Sequence, residues 1–150
     1  MTRRNHEGAR NRTSPLRPRG YFRLRYFATI DAGERHHATA RAIAARLSAE
    51  RWRLFTTNFV LAETHALFLT RVNRAVALRV LTEIDNSPTT IVRINAADER
   101  RARAILSQYQ DKDFSLTDAT SFAVMERLGI NWAFAFDRNF AQYGWNMISG

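Results

Sequence analysis

The chain contains no cysteine. That excludes a disulfide framework, thiol chemistry and any cysteine-ligated zinc site. It has one lysine, Lys112, so its cationic chemistry is almost wholly guanidinium. Only three prolines and six glycines punctuate 150 residues, and none of them forms a glycine-rich phosphate loop. No apolar run approaches the ~18 residues expected of a membrane span. The Arg-rich start lacks an apolar signal core, so the expected location is the cytoplasm. No His–Ser pair stands out as a nucleophile system.

What is present is a core. Hydrophobic residues make up 45% of the chain, with ten Phe, four Tyr and three Trp. One packed domain is the expectation at this length. The formal charge of +9 invites a nucleic-acid reading, but its distribution is uneven. Eight arginines against Glu7 give the first 25 residues +7, and the remaining 125 residues carry only +2. The basicity belongs to an N-terminal arm that could bind phosphate non-specifically. Residues 1–20 have no hydrophobic period and hold Pro15, Pro18 and Gly20, so they are expected to be disordered.

Further along, strand and helix patterns alternate. Helical spacing of apolar residues runs over 34–49. A short strand is expected at 53–57, then a helix N-capped by Asn58 and reaching about Arg71. A second helix follows at 73–84, with Val76, Val80, Leu81 and Ile84 on one face. Pro88 precedes a β-branched strand over 89–94. A helix over 96–109 comes next, and another opens at Ser115 and stops at Gly129. The apolar run 133–136 suits a buried parallel strand, and 145–148 an edge strand. Such alternation predicts an α/β sandwich with a mostly parallel sheet, in which ligands gather at the carboxyl ends of the strands.

Three acids stand out. Glu63 has Phe59, Val60, Ala66 and Leu67 as its helical neighbours, an apolar face that would desolvate a carboxylate. Asp118 belongs to Ser115-Leu116-Thr117-Asp118, which also reads as a capping box. Asp137 follows an apolar run and could equally cap a short turn through 139–142. Converging carboxylates repel, and proteins usually tolerate that where Mg²⁺ or Mn²⁺ neutralises them.

Residues 27–145 resemble a PIN domain of the VapC type, the ribonuclease toxin of bacterial and archaeal toxin–antitoxin pairs. The resemblance is carried by Thr56-Thr57-Asn58-Phe59-Val60-Leu61-Ala62-Glu63-Thr64, by Phe114-Ser115-Leu116-Thr117-Asp118-Ala119-Thr120-Ser121-Phe122 and by Ala133-Phe134-Ala135-Phe136-Asp137-Arg138-Asn139-Phe140. These match the family's second, third and fourth acidic positions in order and rough spacing. The resemblance implies a PIN-like α/β/α domain over 21–150 and a Mg²⁺ or Mn²⁺ site. It implies hydrolysis of structured RNA such as tRNA or rRNA, a homodimer, and a small antitoxin whose tail blocks the site. By motif match, Glu63, Asp118 and Asp137 are catalytic and metal ligands, with Asp113, Thr117 and Ser121 in support.

The departure is at the start. The family opens with a hydrophobic strand ending in Asp-Thr or Asp-Ser. Counting back nine residues from Asp31 puts that first acid at Phe22. Asp31 itself lies about 13 Å further along if the segment is helical, and Glu7 falls in the arm. Arg23 and Arg25 interrupt the strand, and burying an unpaired arginine costs several kcal/mol. The expectation is a nuclease impaired by a degraded or replaced first strand; a displaced reading frame over 1–25 would account for it. Two alternatives stay open. One is a catalytically inactive PIN-fold protein that binds antitoxin or RNA. The other is a basic DNA-binding regulator using the arm, which would need a recognition helix rich in Arg, Asn or Gln.

Overall fold

The computed structural model describes residues 20–22 by their backbone, and residues 42, 45–47, 49–135 and 137–148. The expected arm over 1–19, Arg23, Arg25, Asp31 and most of the helix expected over 34–49 lie outside the described residues. Of that helix, Ala42, Ala45, Arg46, Leu47 and Ala49 are helical.

Among the described residues, five strands form one sheet in the order β3-β2-β1-β4-β5. They are β1 (Gly20–Phe22), β2 (Leu54–Thr57), β3 (Thr90–Val92), β4 (Trp132–Phe134) and β5 (Asn146–Met147). Every neighbouring pair is parallel. β1 is central and begins at Gly20, the last residue of the segment expected to be disordered. After the helical residues between 42 and 49, the helices that are described in full are α1 (Asn58–Arg71), α2 (Arg74–Asp85), α3 (Ala96–Gln108), α4 (Leu116–Leu128) and α5 (Asn139–Tyr143).

Side-chain alternation along the strands divides the core in two. Leu54 and Phe134 join Phe68, Ala77, Val80 and Ile84 of α1 and α2. Phe55 and Ala133 join Ala102, Ile105, Ala119, Phe122 and Met125 of α3 and α4. The result is the expected α/β/α sandwich, with helices on both faces of a parallel sheet.

Local chemistry sets the element ends. α4 starts at a reciprocal capping box: Ser115 Oγ accepts from the Asp118 N–H and Asp118 Oδ2 from the Ser115 N–H, both at 3.0 Å. It stops at Gly129, whose φ of 63° is left-handed, while the Ile130 N–H reaches the Met125 carbonyl at 2.9 Å. The expected cap of α1 needs correction by one residue. Thr57 is the cap, its Oγ1 accepting from the Val60 N–H at 3.1 Å. Asn58 instead accepts from the Ile94 N–H at 2.8 Å, tying α1 to the end of β3. β2 therefore runs into α1 without a loop.

Two ion-pair systems lock α4 to its neighbours. The Arg127 guanidinium donates to both oxygens of Asp98 at 2.8 and 2.9 Å. Asp98 is 2% exposed and also completes the capping box of α3 with Asn95. Arg101 donates to both oxygens of Glu126 at 2.8 and 3.0 Å, and the Tyr143 hydroxyl donates to Glu126 at 2.6 Å. The Tyr143 ring stacks on Phe122 at 4.4 Å and 14°. Burial pushes the Asp98 carboxyl up, but the bonds from Arg127 and the Asn95 N–H together hold it below its ordinary value. The Arg101 bond holds Glu126 low against its partial burial.

Candidate active site

The sheet order reverses between β1 and β4. Their carboxyl ends meet where Phe22 pairs in register with Phe134, a switch point of the kind that collects ligands in open α/β sheets. The chain leaves β4 toward this rim, and Asp137 follows three residues after Phe134.

Asp118 is fully buried in the first turn of α4. Its Oδ2 accepts the Ser115 N–H, and it also accepts the Asn139 side-chain amide, Nδ2, at 2.9 Å. Asp137 is half-buried, and its Oδ1 accepts the Asn139 backbone N–H at 2.9 Å. One residue, Asn139, thus ties together two of the three expected acids, 19 residues apart in sequence. Of the capping roles expected as bland alternatives, one is present: Asp118 caps α4. Asp137 does not cap α5, whose N-cap is Arg138 without a side-chain cap bond; its carboxylate instead closes a turn on the Asn139 N–H.

Glu63 is half-buried, the sixth residue of α1. The buried stripe of α1 is Val60, Thr64 and Phe68. Ala66 is exposed, so Glu63 flanks the apolar face expected around it and does not lie within it. α1 packs against α4, the helix that carries Asp118. Among the described residues, no group of three or more His, Cys, Asp or Glu is placed to hold a metal ion. What the fold assembles directly is the pair Asp118–Asp137. A groove of about 370 Å³ bounded by Asn58, Leu61, Ala62, His65, Leu81, Asp85, Ile91 and Arg93 lies elsewhere. At 100° per residue its α1 members stand on the flank opposite Glu63.

The three supporting positions have distinct settings. Asp113 is exposed in the connection before α4 and makes no hydrogen bond or ion pair with a described residue. Ser121 is buried and donates through Oγ to the Thr117 carbonyl at 2.7 Å, inside its own helix. Thr117 takes part through that carbonyl, which also accepts from Thr120 Oγ1 at 3.1 Å. Arg138, between the two residues of the Asp137–Asn139 turn, is exposed and makes no ion pair with a described residue.

The donor set suits a hard divalent cation in kind. Carboxylate oxygens are the right ligands, and Mg²⁺ is commonly held by one or two carboxylates with the rest of its shell as water. The described part of the central strand ends at residue 22, where the sequence has phenylalanine and not an acid. Sequence reading overlooked Asn139. The available signal was a side-chain donor two residues after an acid in the Asp137-Arg138-Asn139 turn.

Comparison with known proteins agrees with this fold. The family model described as PIN domain matches residues 26–146. The 23S rRNA-specific endonuclease VapC20 of Mycobacterium tuberculosis is 32% identical over 114 residues, spanning 76% of this chain and 85% of that protein. Ribonuclease VapC26 of the same species is 29% identical over 111 residues, spanning 74% and 80%. The crystal structure of M. tuberculosis VapC20, described as a sarcin–ricin loop cleaving toxin, aligns with a TM-score of 0.71 at 30% identity, covering 84% of this chain and 95% of that one. A toxin–antitoxin complex from Klebsiella pneumoniae aligns with a TM-score of 0.54 at 14% identity, covering 87% and 96%, a likeness of fold alone.

Proposed function

The chain belongs to the PIN-domain family, in its VapC-type branch, and on that premise we propose that it is a divalent-metal-dependent endoribonuclease toxin that hydrolyses phosphodiester bonds in structured RNA. The observation that carries the reading is the Asn139-linked pair of carboxylates at the carboxyl rim of the sheet. Asp118 and Asp137 would hold Mg²⁺ or Mn²⁺; Glu63, which the described residues do not bring into a group of three with them, is a ligand implied by the family motif alone. The chemistry such a cation supplies is activation of water and neutralisation of charge on the phosphate. Asp118, fixed by two N–H donors on one oxygen, is the rigid member of the pair. Arg138, exposed and without an ion-pair partner among the described residues, is available to an RNA phosphate.

Ribosomal RNA is the substrate class that the named activity of the VapC20 relative supports, and transfer RNA is the alternative that the family resemblance implies. A small antitoxin is the partner that the family favours. Leu69, Val72 and Leu78, three large apolar side chains exposed at the end of α1 and the start of α2, suit either that partner or a second copy in a homodimer. No helix among the described residues is long and apolar enough to cross a membrane.

One observation favours a second reading. With phenylalanine at the carboxyl end of the central strand, the cluster has fewer carboxylates than the family pattern, so cation affinity is expected to be low. In the limit the chain would be an inactive PIN-fold protein that binds antitoxin or RNA. End-labelled rRNA and tRNA incubated with the full chain decide between them. The nuclease reading predicts cleavage that EDTA abolishes and excess Mn²⁺ restores. A folded chain that cuts neither RNA at millimolar Mg²⁺ or Mn²⁺ supports the inactive form.

A further inference from the structure

Asn139 touches both members of the acidic pair, and it does so through two different groups. Its backbone N–H bonds Asp137 and its carboxamide bonds Asp118, each at 2.9 Å. The first bond survives any substitution except proline; the second depends on the side chain alone. We propose that Asn139 is a positioning residue: its carboxamide sets where the Asp118 carboxylate stands relative to Asp137, and so how tightly the pair holds a divalent cation. This rests on the reading of Asp118 and Asp137 as metal ligands.

The choice of side chain fits that task. A lysine or arginine at 139 would neutralise the pair by ion pairing and compete with the cation. An aspartate would add a third repelling charge and lose the donor. Asparagine supplies one neutral N–H on a short stem with two rotatable bonds. Its backbone is already fixed in the first turn of α5, so little entropy is lost in aiming it. Partners that orient ligands from outside the coordination sphere commonly change metal affinity or activity by about 10–100-fold when removed.

The test is Mn²⁺ binding by the full chain, followed by the loss of the electron paramagnetic resonance signal of free Mn²⁺ up to millimolar concentration. The parent is compared with Asn139→Ala, Asn139→His, Asp118→Asn and Asp137→Asn. Asn139→Ala is expected to weaken Mn²⁺ binding about tenfold or more, with little change in thermal midpoint. Asn139→His, assayed where its imidazole is neutral, should recover most of the affinity, because its Nδ1–H then sits as far from Cβ as the lost amide nitrogen. If Asn139→Ala fails to fold, Asn139→Ser carries the same test, since its oxygen is too short to reach Asp118. Parental Mn²⁺ affinity in Asn139→Ala, with both aspartate variants impaired, overturns the positioning role and leaves the metal site standing. If the parent binds no Mn²⁺, or neither aspartate variant differs from it, the metal reading falls and the role of Asn139 falls with it.

Discussion

Asp118→Asn is expected to lower divalent-dependent RNA cleavage by about two to three orders of magnitude while the fold survives. A metal-held phosphate gains several kcal/mol of charge stabilisation in the transition state, and each 1.36 kcal/mol is a factor of ten in rate. Asparagine removes the negative charge but keeps a carbonyl oxygen able to accept the Ser115 N–H, so the cap of α4 is largely retained. The bond from Asn139 is weakened, and the stability cost should be about 1 kcal/mol. Cleavage of end-labelled RNA beside a thermal melt separates the two effects. A variant that folds and keeps more than about a tenth of the parental rate would remove Asp118 from the chemistry.

The second large effect is on stability. Asp98→Ala takes away the buried acceptor of both Arg127 bonds and the reciprocal half of the α3 capping box. Breaking a fully buried pair costs ~3–5 kcal/mol. Here the Arg127 side chain is 39% exposed and can recover water, so about 2–3 kcal/mol is expected, the cap contributing ~1 of it. The thermal midpoint should fall by roughly 5–10 °C. Acid gives the loss a signature. The Asp98 carboxyl is held below its ordinary value in the folded state. Its contribution is therefore present above the ordinary carboxylate range near pH ~4 and disappears as pH falls further. Glu126 acts in the same sense. Between pH 5 and 2 the Asp98→Ala chain should lose less stability than the parent. Parallel pH profiles for the two would show that the pair contributes nothing. The Arg101–Glu126 pair is more open, at 44% and 33% exposure, and Arg101→Ala should cost no more than ~1 kcal/mol.

Much of this was legible because it is local. Ser115-x-x-Asp118 announced the start of α4 and Gly129 its end, since capping and left-handed turns depend on residues within one turn. Four of the five strands were legible, at 53–57, 89–94, 133–136 and 145–148, and their alternation with helices gave the layer order; the central β1 was expected only as a degraded or replaced strand. Asn95-x-x-Asp98 carries the same capping signature and could have been read the same way. The miss at the α1 cap has a physical cause. Thr57 and Asn58 are both competent caps, and what frees Asn58 from that duty is its bond to Ile94, 36 residues away. Asp98 meets Arg127 across 29 residues, and Asn139 meets Asp118 across 21. No local period carries such pairings; only the packing of α3, α4 and α5 on the sheet creates them. Glu63 shows the opposite error. Its neighbours in sequence are apolar, yet the face of α1 that buries is set by Val60, Thr64 and Phe68, which leaves Glu63 at the border.

The reading of the site turns on whether Asp118 and Asp137 share a cation. Crystals of the chain grown with millimolar Mn²⁺ and measured at the manganese absorption edge would answer that directly. The account predicts an anomalous peak within ~2.0–2.6 Å of an oxygen of each carboxylate, at the carboxyl ends of β1 and β4 beside Asn139. An ordered chain with no peak there, or with its only manganese bound away from the pair, would contradict it.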